Sequence, residues 1–433
     1  MLTTADAAWL VAGNMVGAGI FVTPGLVAAQ LPSPAWILLA WLLGGFISLA
    51  GAAIYAELGT RLPHAGGDYQ YLNAAFGPLW GFLTGWTAFV LTFSASAAAM
   101  AIASMTYLVQ AVPALQELPH GTATAGGAIL ILALTAANTA GARVAGRATA
   151  AFTAIPVAGL LLLFAVGMLL GGGEEVGRGP AVPEALPSPG LALGAALLPI
   201  FFTYSGWNAA AYVAGEIRNP ARSLPRALLV GTGLVTLLYV VFNAGLLWIL
   251  PREILNGSTS AGTQAAKTLL GEGAGRILSA LIAVAIVGSA NVTLMAGARV
   301  YYAMASNSLA PRFLSGINRH GVPASALWVG GVWSALLAAT GTFSRLLAWA
   351  TLALLLLSSL AVCAIFVLRA RRPDEAHYKC PGYPLTPVAY LAAALLVLGA
   401  SAMAEPKEAL IGMLLVAAGL PAYALVRRVM RRV

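Results

Sequence analysis

The chain has 433 residues, of which 60% are hydrophobic and only 9% charged, with a mean hydropathy of +0.87; soluble domains carry about 25% charge. So little polar surface cannot cover a water-facing exterior, which excludes a soluble globular protein and makes the lipid bilayer the chain's solvent. The net charge of +9 would suggest nucleic acid in a soluble protein, but here it gathers in loops, where it is a topology signal; no nucleic-acid partner is expected.

The apolar runs predict an all-α integral membrane protein of twelve transmembrane helices, at about 7–31, 35–62, 79–112, 122–142, 147–171, 190–215, 225–250, 274–307, 323–341, 344–369, 385–404 and 408–427. Each can cross a hydrocarbon core about 30 Å thick. With the N-terminus inside, 17 of the 23 Lys and Arg fall on the inner side, and the other six (Arg178, Arg252, Lys267, Arg276, Arg345, Lys407) fall outside. The positive-inside rule therefore predicts that both termini are cytoplasmic. Met1 to Asp6 has no basic leader region and runs into a full span, so no cleaved signal is expected. Cys363 in the tenth span and Cys380 in an inner loop imply no disulfide framework. The connections are short; Gly171 to Gly190 is the longest non-helical stretch, and Pro251 to Gly273 is polar enough for either an outer lid or an ordinary surface loop.

Two spans carry interruptions at matching depth. The first holds Val16-Gly17-Ala18-Gly19-Ile20 near its middle, and the sixth holds Thr203-Tyr204-Ser205-Gly206-Trp207-Asn208. A glycine pair in lipid is commonly a helix-packing face, but interrupted helices at corresponding positions of two halves point to a transporter site and to a five-plus-five inverted repeat. An unwound turn leaves N–H groups at the start of one half-helix and C=O groups at the end of the other, which bind anions and cations respectively. Two breaks at one height would thus hold both charges of an α-amino acid zwitterion. The carboxylate is expected on the N–H groups of Gly17, Ala18 and Gly19, and the ammonium on carbonyls of Val16 and of Phe202 to Ser205.

No Asp, Glu, Lys or Arg is predicted near mid-membrane, so a neutral substrate is favoured. Glu57 and Arg299 lie near inner helix ends, where pairing or snorkelling is expected. The small residues Ser94 to Ala99 in the third span serve as packing or leave room for a modest side chain. Trp207 reads first as core; Phe202 is placed either to pack or to cover a ligand as a gate. Tyr204 and Asn208 are mid-span polar groups that need partners for structure or for the site. Ser289, Asn291 and Thr293 bond their own helix or line the site. His64, His120, His320 and His377 all fall in loops, no metal-ligand spacing occurs, and neither a phosphate-binding loop nor a Ser/His/Asp set is apparent. No cofactor and no metal are expected, and an enzyme is disfavoured.

Three motifs in order resemble the amino acid–polyamine–organocation transporter superfamily, and its L-type amino acid transporter branch in particular. They are Val16 to Phe21 followed by Pro24-Gly25; Tyr55-Ala56-Glu57-Leu58-Gly59 with Pro63, Gly66-Gly67 and Tyr69-Gln70-Tyr71; and Phe202 to Asn208 followed by Gly215 to Pro220 and Leu224 to Ala227. The resemblance covers nearly the whole chain. It implies a leucine-transporter-like fold with helices 1 and 6 broken: 1–171 as the first five-helix repeat, 172–370 as the second and 371–433 as two additional helices. It also implies alternating access and an aromatic gate at Phe202. Several members carry a lysine in the fifth helix at the position of Thr153; with no Lys there, Thr153 and Ser289 become a possible ion or coupling site, and proton coupling, sodium coupling and exchange all stay open.

The expectation is a secondary transporter, symporter or exchanger, of neutral L-amino acids in a bacterial inner membrane; the bacterial setting rests on the compact, Ala- and Gly-rich style. The rival readings are a cationic amino acid or polyamine carrier of the same fold, and a sensor that binds an amino acid without moving it.

Overall fold

A computed structural model describes residues 1–63, 66–119, 121–140, 189–372 and 377–430, with Ala158 and Ala165. Among them the regular structure is helical. The elements used below are α1 (Thr4–Met15), α2 (Ala18–Ala28), α3 (Pro34–Arg61), α4 (Asp68–Phe76), α5 (Pro78–Ala111), α6 (Thr122–Thr139), α7 (Pro189–Tyr204), α8 (Ala209–Tyr212), α9 (Pro220–Ile249), α10 (Ala261–Leu270), α11 (Glu272–Ser306), α12 (Ala324–Thr340), α13 (Phe343–Arg371), α14 (Leu385–Ala404) and α15 (Pro406–Arg428).

Eight of these helices are long and apolar enough to cross a membrane, and α1 with α2 forms a ninth such unit bent by 46°. The shorter apolar helices α7 and α12 stand where the sixth and ninth spans are expected. The protein is therefore a multi-span, all-helical membrane protein. The expected fifth span at 147–171, with Thr153, lies outside the described residues.

Local chemistry explains the element boundaries. Thr3 and Asp6 cap α1 reciprocally: the Asp6 N–H donates to Thr3 Oγ1 (3.2 Å), and the Thr3 N–H donates to an Asp6 carboxylate oxygen (2.9 Å). Pro34, Pro78 and Pro220 stand in the first turns of α3, α5 and α9, where a missing N–H costs nothing. Within α5, residues Ala88–Thr92 widen into a π-turn, and the Ser94 hydroxyl donates to the freed Phe89 carbonyl at 2.6 Å.

Among the described residues two large apolar clusters and a small third fill the bundle. The first draws on α1, α2, α3, α7, α9, α10, the first half of α11 and parts of α4, α5, α13 and α14, and the second on much of α5, the second half of α11, α12 and the start of α13. The sixth span straddles the two large ones: Tyr204 and Trp207 belong to the first and Phe202 to the second.

Chain connections gather at two ends. At one, Leu2 bridges to Ile217 (Leu2 N–H to Glu216 O, 2.8 Å; Arg218 N–H to Leu2 O, 2.9 Å). At this same end Arg371 donates to the Ala74 carbonyl at 3.3 Å. Glu57 is buried here and takes Arg61 (2.9 Å), Arg369 (2.8 Å from Nε) and the Cys380 N–H (2.7 Å), so its paired reading holds. At the opposite end the segment from Pro251 to Leu270 folds over α2. Its Gly257 N–H donates to Gly25 O (2.9 Å), the Arg252 guanidinium donates to the carbonyls of Leu31 and Pro32, and Ala261, Ala265 and Ala266 are buried. That segment is a folded cap on the first broken span.

Candidate functional site

The two interruptions are real breaks in the backbone. Helix α1 ends at Met15, the chain turns tightly at Val16 and is extended at Gly17, and α2 begins at Ala18. Helix α7 ends at Tyr204, and the chain turns through Ser205 to Asn208 before the short α8. Gly206 takes φ +100, and a Cβ there would stand 2.8 Å from the Asn14 carbonyl oxygen, so only glycine meets both the dihedral and the contact with α1.

The breaks lie against each other. A Cβ on Gly19 would stand 2.7 Å from both Cα and Oγ1 of Thr203. The hydroxyls of Thr23 and Thr203 are 2.8 Å apart, each within bonding distance of a carbonyl on its own helix, Gly19 O at 2.9 Å and Pro199 O at 2.8 Å. Tyr239, from α9, brings its hydroxyl to the carbonyl ends of both half-helices at once, Met15 O at 2.7 Å and Thr203 O at 3.2 Å. One donor thus pins both breaks.

This geometry narrows the expected backbone donors. The Gly17 N–H is already turned onto Met15 O (2.9 Å), so Ala18, Gly19 and Ile20 supply the open N–H groups of the α2 first turn. On the carbonyl side, Phe202 O accepts from the Ser205 N–H (3.0 Å) and Thr203 O takes Tyr239; the carbonyls of Val16, Tyr204 and Ser205 stay open among the described residues. The missing side chain of Gly19 makes room for Thr203.

The side chains separate into two groups. Phe202 is buried with the small residues Ala95, Ala97 and Ala98 of α5 and with Leu294 of α11; those small residues act as packing between α5 and α11. Gly17 faces Ser289, whose Oγ would be 3.5 Å from a Cβ at that glycine, and Met100. Ser289 and Thr293 bond carbonyls of their own helix (3.4 and 2.9 Å), whereas Asn291 accepts from Asn138 on α6. In contrast, Tyr204 and Trp207 point away. Tyr204 donates to the Trp41 carbonyl (3.0 Å) and packs on Tyr239 at 5.0 Å. Trp207 stacks edge-on to Tyr55 (4.8 Å) and Tyr390 (6.4 Å). Both are core residues of α3, α9 and α14 contacts, as read first for Trp207. Asn208 stands at the start of α8, where its carbonyl accepts from Ala211.

Sequence reasoning passed over Thr23, Tyr239 and Asp68. Each is a polar group in an apolar or motif-rich stretch, which is itself the signal; only the fold shows what each one bonds. No group of three or more His, Cys, Asp or Glu that could hold a metal occurs among the described residues.

The residues around both breaks offer backbone dipoles and hydroxyls, and none of the named contacts carries a formal charge. The sequence pattern of the amino acid permease family matches residues 2–415. The chain belongs to the amino acid permease family. The permease is 31% identical over 423 residues to the serine/threonine exchanger SteT of Bacillus subtilis (strain 168), covering 96% of this chain and 94% of that one. It is likewise 31% identical to the human large neutral amino acids transporter small subunit 2, over 96% of this chain and 78% of the relative. To the mouse Asc-type amino acid transporter 1 it is 30% identical, over 96% and 79%. The permease is accordingly a membrane transporter and not an enzyme, and the resemblance carried by the three motifs is upheld.

Proposed function

We propose that this permease is a secondary transporter of neutral L-amino acids that works as an exchanger, binding the zwitterion between the α1–α2 break and the α7–α8 break. The observation that carries the reading is the contact of Gly19 with Thr203, which sets the N–H groups of Ala18 to Ile20 beside carbonyls of opposite polarity in one uncharged setting. A carboxylate and an ammonium find partners there; a third charge on the substrate finds none, which favours small or medium neutral side chains over arginine or polyamines. The names of the relatives, which include a serine/threonine exchanger and a large neutral amino acid transporter, support the same substrate class.

Alternating access would swing the two large apolar clusters against one another, with Phe202 at their boundary as the gate. The five-plus-five repeat within twelve spans, with 1–171, 172–370 and 371–433 as its parts, is proposed on the same basis. So is the setting in a bacterial inner membrane, with the end that carries Leu2, Arg371 and both termini facing the cytoplasm, as the distribution of Lys and Arg favours. Ser289, beside Gly17, is the described residue closest to a coupling role; Thr153 is its proposed partner. Purified permease in vesicles preloaded with unlabelled L-serine should take up labelled L-serine, and empty vesicles should take up little. Uptake of arginine alone overturns the substrate; binding without any flux favours a sensor.

A further inference from the structure

At the end of the bundle that carries the N-terminus, α4 packs chiefly against α5 and α13. Asp68, in its first turn, is 6% exposed. Its two carboxylate oxygens accept from two tyrosines: Tyr55 of α3 on one, and Tyr212, the last residue of α8, on the other at 2.7 Å. No cation touches the carboxylate among the described residues. The next residue, Tyr69, has its hydroxyl bonded by Asn307 Nδ2 at the end of α11 (3.0 Å). Adjacent positions of one short helix therefore grip α3 and the inner half of the sixth span on one side, and α11 on the other. The preceding turn is shaped to Tyr212 as well. The Gly66 N–H donates to the Tyr212 carbonyl (3.2 Å), and a Cβ on Gly67 (φ +49) would stand 2.8 Å from the Tyr212 ring. Tyr212 cannot leave without giving up Asp68.

We propose that Asp68 is a proton-responsive positioning residue of the gate at this end: neutral, it holds Tyr55 and Tyr212 together and keeps the inner half of the sixth span closed; ionised, it favours hydration and lets that half swing away. That this gate is the cytoplasmic one rests on the orientation proposed above. The physical basis is the cost of burying a carboxylate without a cation. Burial raises the Asp68 pKa, the two hydroxyl donors oppose it, and burial prevails. An opened, hydrated Asp68 returns to the ordinary carboxylate range, so the closed state binds its proton more tightly. By linkage, acid favours the closed gate and rising pH favours opening, the proton passing to water on that side. The titratable groups within electrostatic reach of Asp68 are Tyr55 (α3), Tyr71 (α4), Tyr212 (α8) and Tyr390 (α14). Among the described residues all are phenols, uncharged through the working range, and the α13 cation that touches α4, Arg371, is bonded to the Ala74 carbonyl (3.3 Å) and not to Asp68.

The test compares hydrogen–deuterium exchange of residues 209–216 in the full-length permease, wild type against Asp68→Asn, at the same pH, with L-serine binding and exchange measured in parallel. At about pH 8 the wild type should be less protected there than Asp68→Asn, and the difference should shrink as pH falls, closing only toward the ordinary carboxylate value of about 3.9. Tyr212→Phe, which loses one bond of the pin, should be less protected than wild type throughout. L-serine exchange by the wild type should slow in acid toward the Asp68→Asn rate, while L-serine affinity stays within about twofold. Equal protection of wild type and Asp68→Asn at every pH, or weaker protection in Asp68→Asn, overturns the proposal. If L-serine neither binds nor exchanges while the protection pattern holds, the pin stands and the substrate reading falls.

Discussion

Gly19 carries the tightest constraint at the residue scale. Because the obstacle to a Cβ there includes the Thr203 Cα itself, Gly19→Ala should cost about 1–3 kcal/mol through overpacking, seen as a lower melting temperature of the detergent-solubilised protein. Trimming Thr203 to Ala should not restore it, since backbone and not only side chain is in the way; full rescue would show that the approach is looser than described. Glycine's presence at the break was legible from the sequence, but its reason was not, because the partner lies 184 positions away in another span. Tyr239 was illegible for a related cause: a tyrosine in an apolar run looks like core until two broken carbonyl ends meet its hydroxyl. Cys380 yields a second test at this scale. Burial and the nearby Glu57 push its thiol up to about 11, with Arg369 opposing. In a Cys363→Ala background, maleimide labelling of Cys380 near neutral pH should be about two orders of magnitude slower than that of a free thiol, and it should climb as pH rises toward that value. Fast labelling at neutral pH would contradict the buried, neutral thiol.

At the scale of elements, the breaks in the first and sixth spans followed from glycine and polar runs at matching depth, and the structure bends or turns the chain at those residues. What the pattern could not supply was direction. Past an unwound turn the helical periodicity is lost, so Tyr204 and Trp207, adjacent to the break in sequence, turn into the core against Trp41 and Tyr55, while Phe202 faces the other core. The latch at the end that carries the N-terminus joins three elements. Glu57 on α3 holds Arg61 on its own helix and Arg369 on α13, and it takes the Cys380 N–H from the segment before α14; Arg369 also lies 3.7 Å over the Tyr383 ring. Removing Arg369 leaves a fully buried carboxylate with one arginine fewer. Arg369→Met should therefore destabilise by at least about 2 kcal/mol, discounted because the Arg369 side chain is partly exposed. A thermal-inactivation midpoint several degrees lower is the expected result, and an unchanged midpoint would make the latch dispensable.

For the whole molecule, composition alone fixed the solvent, since a chain with 9% charge cannot cover itself for water, and the long apolar helices follow. The division into two large apolar clusters with a broken span across their boundary was not visible in the sequence, as it depends on which helices become neighbours. In the proposed exchange the two clusters would move against one another about the two breaks, whose dipoles would hold both charges of an amino acid. Counterflow of labelled L-serine into vesicles, competed by a panel of amino acids and their derivatives, probes this most directly. Neutral amino acids should compete, while their methyl esters, N-acetyl forms and L-arginine should compete at least about tenfold more weakly, since each lost charged hydrogen bond costs about 1.5–3 kcal/mol. Equal competition by derivatives lacking the free carboxylate or the free amine would contradict a zwitterion held between the two breaks.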